Sequence, residues 1–370
     1  MSAADLQSIL GRFLNRDQRL SPRQWQVCSH IQTCRTAAPG GLKLHCNHCD
    51  YGLPQYHACR DRHCPRCQQR ASRRWCEQQQ SAVLPVTYYH LVFTLPHTLN
   101  PWVQLHPQVI YGLLFQCVWA TLKAFATDPK RLGGEPDMTA VLHTWGQNLS
   151  QHVHLHCLVP GCVLNPAGQW QPARGNYLFP VRALSRVFRG KMVSALRAGY
   201  QRGELHRIAR PGDIDHTLAS LMQAEWVVYS KACVSRTDTV VAYLARYSHR
   251  IAISDQRIVD VDEEQVMFRY KDYRDHDKSK VMRLSGVEFI RRFMLHVLPK
   301  GFMRLRHYGF LANRCRAEKL MQIRGVLAQG TSLVADVTPE VSFTGYPCPK
   351  CHEGIVRVVC PLAPIRWEGG

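Results

Sequence analysis

Two Cys-x2-Cys pairs, Cys46/Cys49 and Cys64/Cys67, constrain this chain more than any other feature. Each pair makes a tight turn that aims two thiolates at one point, and two such turns close a tetrahedral site around a single ion. Eight of the 16 cysteines precede residue 80 and are interleaved with histidines, the pattern of zinc in a reducing compartment rather than of a disulfide framework. A segment with so few apolar residues needs the ion in order to fold. The spacing therefore predicts a zinc ribbon on Cys46, Cys49, Cys64 and Cys67, structural because a thiolate-rich set keeps no open position. Cys34, Cys59 and His63, with His30, His45 or His57 completing the set, are candidates for a second Zn²⁺. Cys348 and Cys351, followed by His352 and Cys360, suggest a third in a C-terminal knuckle.

Charge narrows the partner. With 47 Lys and Arg against 27 Asp and Glu the formal net charge is +20, which points to a polyanion, most simply nucleic acid. Arg60, Arg62, Arg66, Arg70, Arg73 and Arg74 face only Asp61 within the cysteine-rich region, a candidate phosphate-contacting face. From Ile290 to Arg324 nine Lys and Arg, Arg291 and Arg292 among them, meet the single Glu318, which suggests a second DNA-binding surface. No run of 18 apolar residues and no secretory leader is visible, so the expected compartment is the cytoplasm, with no membrane partner.

Composition shifts near residue 82, and the expected organisation is a zinc-binding DNA-recognition domain over 1–82, a catalytic domain over 83–275, a basic helical region over 276–345 and the knuckle over 346–370. Strands are predicted at Tyr88–Leu95, Thr139–His143, Val153–Val159, Trp226–Tyr229, Arg250–Ile253 and Gln265–Tyr270. The second and third of these pair as a hairpin. Helices are predicted over Pro107–Ala126, 181–202, Thr239–Tyr247 and Ser285–Val297. Without strict strand–helix alternation the fold class is α+β, a sheet with helices on its faces.

Chemistry concentrates in two short motifs. His152, His154 and His156 alternate along one strand and so share one face. Two imidazoles leave positions open on an octahedral Mg²⁺ or Mn²⁺ for a phosphate oxygen, with His152, Gln147, Asn148 or a group from the tyrosine helix as third ligand. Tyr243 and Tyr247, one helical turn apart, reach the same site, and Arg246, His249 and Arg250 lie beside them to hold phosphate. A phenol needs its charge stabilised to attack near neutral pH, which a neighbouring cation supplies. Either motif alone has an ordinary packing explanation; together they point to an enzyme that cuts and rejoins single-stranded DNA.

His152-Val-His-Leu-His-Cys-Leu-Val159, Tyr243-Leu-Ala-Arg-Tyr247-Ser-His-Arg-Ile-Ala-Ile-Ser254 and Cys59-Arg-Asp-Arg-His-Cys-Pro-Arg-Cys67 together resemble the metal, paired-tyrosine and zinc motifs of the two-tyrosine HUH (His-hydrophobic-His) transposases of the IS91 type. His90–Pro96, Phe179–Ser185 and Phe289–Gly301 extend the resemblance over nearly the whole chain. It implies a palm-like antiparallel sheet flanked by helices, and rolling-circle transposition of an insertion sequence through 5′-phosphotyrosine links to single-stranded transposon ends and target DNA. The alternatives are a plasmid replication initiator or relaxase of the same chemistry, or a zinc-dependent DNA-binding regulator without catalysis.

Overall fold

The computed structural model describes residues 4–69, 71–72, 83–84, 86–167, 169–173, 178–208, 211–232, 250–312, 316–328 and 346–365. Two helices, α1 (Leu6–Phe13) and α2 (Pro22–Thr33), precede the hairpin β1 (Gly41–Cys46) and β2 (Gly52–Tyr56). After β3 (Tyr88–Thr94) come α3 (Asn100–Leu105), α4 (Pro107–Thr127), the hairpin β4 (Met138–Trp145) and β5 (Gln151–Pro160), and a small ribbon of β6 (Cys162–Leu164) and β7 (Trp170–Pro172). Next are α5 (Val181–Gln201), α6 (Pro211–Gln223), β8 (Val228–Ala232), and the meander β9 (Ile258–Val261), β10 (Gln265–Asp272) and β11 (Lys278–Ser285). The chain continues through α7 (Gly286–Met294), β12 (Leu305–Tyr308) and α8 (Arg316–Ala328) to β13 (Tyr346–Pro347) and β14 (Ile355–Leu362).

The main sheet has the order β12-β4-β5-β3-β8, and every neighbouring pair is antiparallel. Alternation gives its two faces different characters. Leu91 and Phe93 of β3, Ala140 and Leu142 of β4, and Val153, Leu155 and Cys157 of β5 join one large core with α4, α5 and α6. The predicted helix α5 is amphipathic, burying Leu184, Phe188, Met192 and Leu196 at steps of four. Helix α4 is long and apolar enough to cross a membrane, but its buried Ile110, Leu114, Phe115 and Val118 make it the core helix of this layer. The opposite face of the sheet carries the histidines.

A second core joins distant parts of the chain. Leu6, Ile9 and Leu10 of α1 and Val27, Cys28 and Ile31 of α2 pack with Val266 and Phe268 of β10 and with Phe289, Ile290, Phe293 and Met294 of α7. Both N-terminal helices begin with reciprocal caps, Asp5 with Ser8 and Ser21 with Gln24, which satisfy two otherwise orphaned donors each. A Cβ on Gly286 would stand 2.0 Å from the ring of Phe13, so glycine is what lets α1 and α7 meet. The N-terminal region is thus packed onto residues 258–294.

Several expectations change. Arg250–Ile253 is irregular rather than a strand, because Ala252 and Ile253 turn into the second core. Strand β11 was not anticipated, and the boundary expected at residue 275 falls in the turn of the β10–β11 hairpin. The expected C-terminal knuckle is not separate: β14 pairs with β1 in the sheet β13-β14-β1-β2. The helix expected over Thr239–Tyr247 lies outside the described residues.

Candidate functional site

Strands β4 and β5 build the histidine cluster by register. His143 on β4 is paired with His154 on β5, and Val141 with His156, so three imidazoles converge on one face of the sheet. The ligand nitrogens of His143, His154 and His156 all lie within 4.8 Å of one another. His143 is 4.4 Å from His156 and 5.4 Å from His154 between ring centres, and Trp145 stacks on its outer side at 4.5 Å. The structure thus gathers His143 with His154 and His156, while His152 falls outside this group, its ring 4.9 Å from that of His154 and 5.3 Å from that of His97. Sequence reasoning missed His143, because the β4–β5 pairing shifts register between His143 and Trp145 and residue spacing does not fix its partner.

Neighbouring groups fix the ring orientations. The Nδ1–H of His154 donates to the carbonyl of His152 at 2.9 Å, which leaves Nε2 free to bind an ion. His156 Nδ1 is 2.8 Å from His90 Nε2 on the adjacent strand, and the two rings stack. Burial holds His154 down to about 3 and His156 well below the usual imidazole range, with Arg250 and the neighbouring histidines adding to the effect. Both rings are therefore neutral and offer lone pairs at neutral pH. Arg250 is the first described residue after the segment holding Tyr243, Arg246 and Tyr247, which lie outside the described residues. Its carbonyl is held by Arg304 at 3.1 Å.

The cysteines assemble differently from the expected ribbon. Cys34, Cys59, Cys64 and Cys67 form one cluster, and Cys46, Cys49, Cys348 and Cys351 another. In the first, Cys34 and Cys59 each lie 3.6 Å from Cys67, and Cys64 lies 3.8 Å from Cys34. A regular tetrahedron with Zn–S bonds of about 2.3 Å has edges of about 3.8 Å, so these sulfurs already occupy zinc positions. The pairing of Cys46 and Cys49 with Cys64 and Cys67 is overturned because β1 turns the first pair towards the C-terminal strand. His63 is not a ligand either. Its Nδ1–H donates to Asp61 at 2.8 Å and its Nε2 accepts the Leu298 N–H at 3.2 Å, so both nitrogens are taken.

The arginines divide. Arg62 donates to the Phe302 carbonyl, and Arg66 binds Gln7 at 2.6 Å and Asp5 at 2.5 Å, so both tie the fold together. Arg60 is exposed, and Arg70 lies outside the described residues. Arg291 and Arg292 fork onto Glu288 at 2.6 Å and 2.7 Å, and Arg292 reaches the Asn148 carbonyl in the β4–β5 turn.

Residues 137–319 match the family model described as "Putative transposase", and residues 6–95 match the one described as "Transposase zinc-binding domain". Fold, cysteine clusters and matches thus define a DNA-acting transposase with an N-terminal zinc-binding domain. The chain is 42% identical over 352 residues to "Putative transposase y4qJ" of Sinorhizobium fredii (strain NBRC 101917 / NGR234), covering 90% of this chain and 88% of that protein. It is 28% identical over 354 residues to "Transposase for insertion sequence element IS801" of Pseudomonas savastanoi pv. phaseolicola, covering 92% of this chain and 82% of that protein. It belongs to the IS91 family of transposases. No solved structure matches it.

Proposed function

We propose that this transposase nicks and rejoins single-stranded DNA through 5′-phosphotyrosine intermediates, in rolling-circle transposition, with Tyr243 and Tyr247 as nucleophiles on an HUH palm. The reading is carried by the cluster of His143, His154 and His156, whose ligand nitrogens lie within 4.8 Å of one another. The charge of Arg250 is felt at His154 and at His156. Tyr247 stands three positions before Arg250 in the sequence.

Three imidazoles, with no carboxylate grouped with them among the described residues, fit Mn²⁺ better than the harder Mg²⁺. An ion held there supplies Lewis-acid polarisation of the scissile phosphate. His90 orients His156, the His152 carbonyl orients His154, and Trp145 backs His143. Arg250, with Arg246, neutralises the phosphate and the phenolate that attacks it. The phenolate oxygen bonds to phosphorus, the P–O3′ bond breaks, and the departing 3′ oxygen takes up a proton. The 5′-phosphate stays on the tyrosine. A later 3′-hydroxyl reverses the step, so joining consumes no ATP. Exposed Arg60, with Arg70, supplies phosphate contacts from the zinc-binding region, and the protein works at the nucleoid.

Incubating the full chain with Mn²⁺ and a single-stranded oligonucleotide carrying the element's end gives a covalent adduct that survives denaturing electrophoresis. Tyr243→Phe with Tyr247→Phe abolishes it. His143→Ala lowers the cleavage rate at least about 100-fold, the loss typical when an electrostatic stabiliser of the transition state is removed, while oligonucleotide binding persists. An adduct that survives the double tyrosine substitution would overturn the assignment.

A further inference from the structure

The second cysteine cluster draws its ligands from opposite ends of the chain. Cys46 and Cys49 flank the turn after β1, and Cys348 and Cys351 flank the turn between β13 and β14. We propose that these four thiolates bind a Zn²⁺ ion of their own, which clasps the C-terminal strand onto the N-terminal hairpin. The region matching the zinc-binding family model ends at residue 95, so it accounts for only half of this ligand set.

Three features support an ion over free thiols. Cys46 lies 3.8 Å from Cys351, and Cys49 lies 3.8 Å from Cys348, the edge length of a tetrahedral zinc–thiolate site. A disulfide would bring sulfurs to about 2.05 Å, which excludes that pairing. The two turns also face each other with matching polar groups. The His48 N–H points at Cys46 Sγ at 3.4 Å, and the Gly354 N–H at Cys351 Sγ at 3.3 Å. Such donors stabilise thiolate charge in the way that outer groups support a metal site. Asn47 ties the turns together, its side-chain oxygen accepting from the Ile355 N–H at 2.7 Å and its own N–H donating to the Ile355 carbonyl at 3.1 Å.

Packing alone does not explain why the turns stay together. Among the described residues the apolar cluster around them buries Leu44, Cys46, Cys348 and Val356, with Leu42, Cys49, Tyr51, Leu53 and Cys351 partly so. So small a core needs a cross-link. Backbone approach is equally tight: a Cβ on Gly354 would stand 2.4 Å from Cys46 Sγ, so the second turn admits only glycine where it meets the first. The strands then follow, with His45 opposite Arg357 and Cys46 opposite Val356. An ion here closes the chain into a ring without touching the histidine cluster, so the inference stands independently of the nicking reaction.

Zinc content of the purified full chain, measured by mass spectrometry after removal of loosely bound metal, tests it. Two zinc ions per chain are expected, one for each four-cysteine cluster. Cys348→Ser with Cys351→Ser should lower the content to one and expose the amides of β1 to hydrogen exchange, while β4 and β5 keep their protection. Should that variant fail to fold, alkylation of the unmodified chain decides. Cys46, Cys49, Cys348 and Cys351 should become reactive together, in step with release of one zinc to a chelator. A single zinc in the unmodified chain, two in the double variant, iron in place of zinc, or Cys348 and Cys351 reacting while both ions stay bound would each overturn the proposal.

Discussion

The two cysteine clusters have the same four ligands and opposite settings. Cys34, Cys64 and Cys67 are buried within the second core, alongside Leu6, Ile31 and Phe293. The cluster of Cys46, Cys49, Cys348 and Cys351 sits in a satellite with few apolar partners. The first spans a short stretch of chain. The second closes about 300 residues, and loop-closure entropy makes that about 2 kcal/mol costlier than closing the roughly 25 residues between Cys34 and Cys59. The same chemistry therefore has two settings: one cluster is embedded in a large core and coupled to its folding, and the other joins two turns that have few apolar partners.

The largest effect is expected at the embedded cluster. Cys64→Ala removes a buried ligand between α2 and the Asp61 loop, leaving three thiolates to share a cavity. Structural zinc contributes on the order of 10 kcal/mol to such folds, more than a domain's typical margin of roughly 5–15 kcal/mol can spare safely. The variant should show no cooperative thermal transition for the unit built from α1, α2, β10 and α7. The paired serine substitution at Cys348 and Cys351 should leave that transition in place. If the two variants melted alike, the contrast between the clusters would be wrong.

Asp61 sharpens the comparison. It is buried beside the embedded cluster, where its carboxylate accepts from the His63 backbone N–H at 2.9 Å and from His63 Nδ1–H at 2.8 Å, with His30 Nδ1 at 3.0 Å. Burial pushes this carboxyl up, but the hydrogen bonds from His63 and His30 outweigh it and hold it well below its ordinary 3.8. Burial meanwhile holds His63 neutral, so the pair is a carboxylate accepting from an uncharged imidazole rather than a true ion pair. Asp61→Asn keeps the shape and loses the charge, and should cost about 3 kcal/mol, since hydrogen bonds to charged groups contribute roughly 1.5–3 kcal/mol each. The sign with pH follows from the depressed carboxyl. Its contribution is complete above about pH 4 and fades as pH falls below that, because the unfolded chain then binds a proton that the folded chain refuses. Acid titrations of stability should therefore be flatter for the asparagine variant than for the native chain.

These contrasts also explain what the sequence did and did not reveal. The hairpin of β4 and β5, the amphipathic α5 and the helix α7 are local patterns, and each was legible. Ligand sharing was not, because Cys46 and Cys348 are adjacent only after β14 pairs with β1. His143 needed the register of a hairpin whose pairing shifts between His143 and Trp145, which spacing alone does not give. His63 had a ligand's spacing, yet Asp61 two residues earlier takes its Nδ1–H first. Arg62 and Arg66 looked like a phosphate face because sequence reports charge and not the carbonyl or carboxylate that tertiary structure brings to it.

The smallest effect belongs to the satellite's own carboxylate–histidine pair. Glu353 lies 3.2 Å from His48 Nε2 across the two turns, a contact that resembles Asp61 with His63 on paper. Its side chains are 71% and 58% exposed, whereas that of Asp61 is 3% exposed. In water the attraction is screened, and two mobile side chains must be ordered to make the contact, so the net gain approaches zero. Glu353→Gln should leave both the melting temperature and the zinc content unchanged. If it released zinc or opened β14, the turns would owe their closure to this surface pair, and the clasp would be electrostatic rather than metallic.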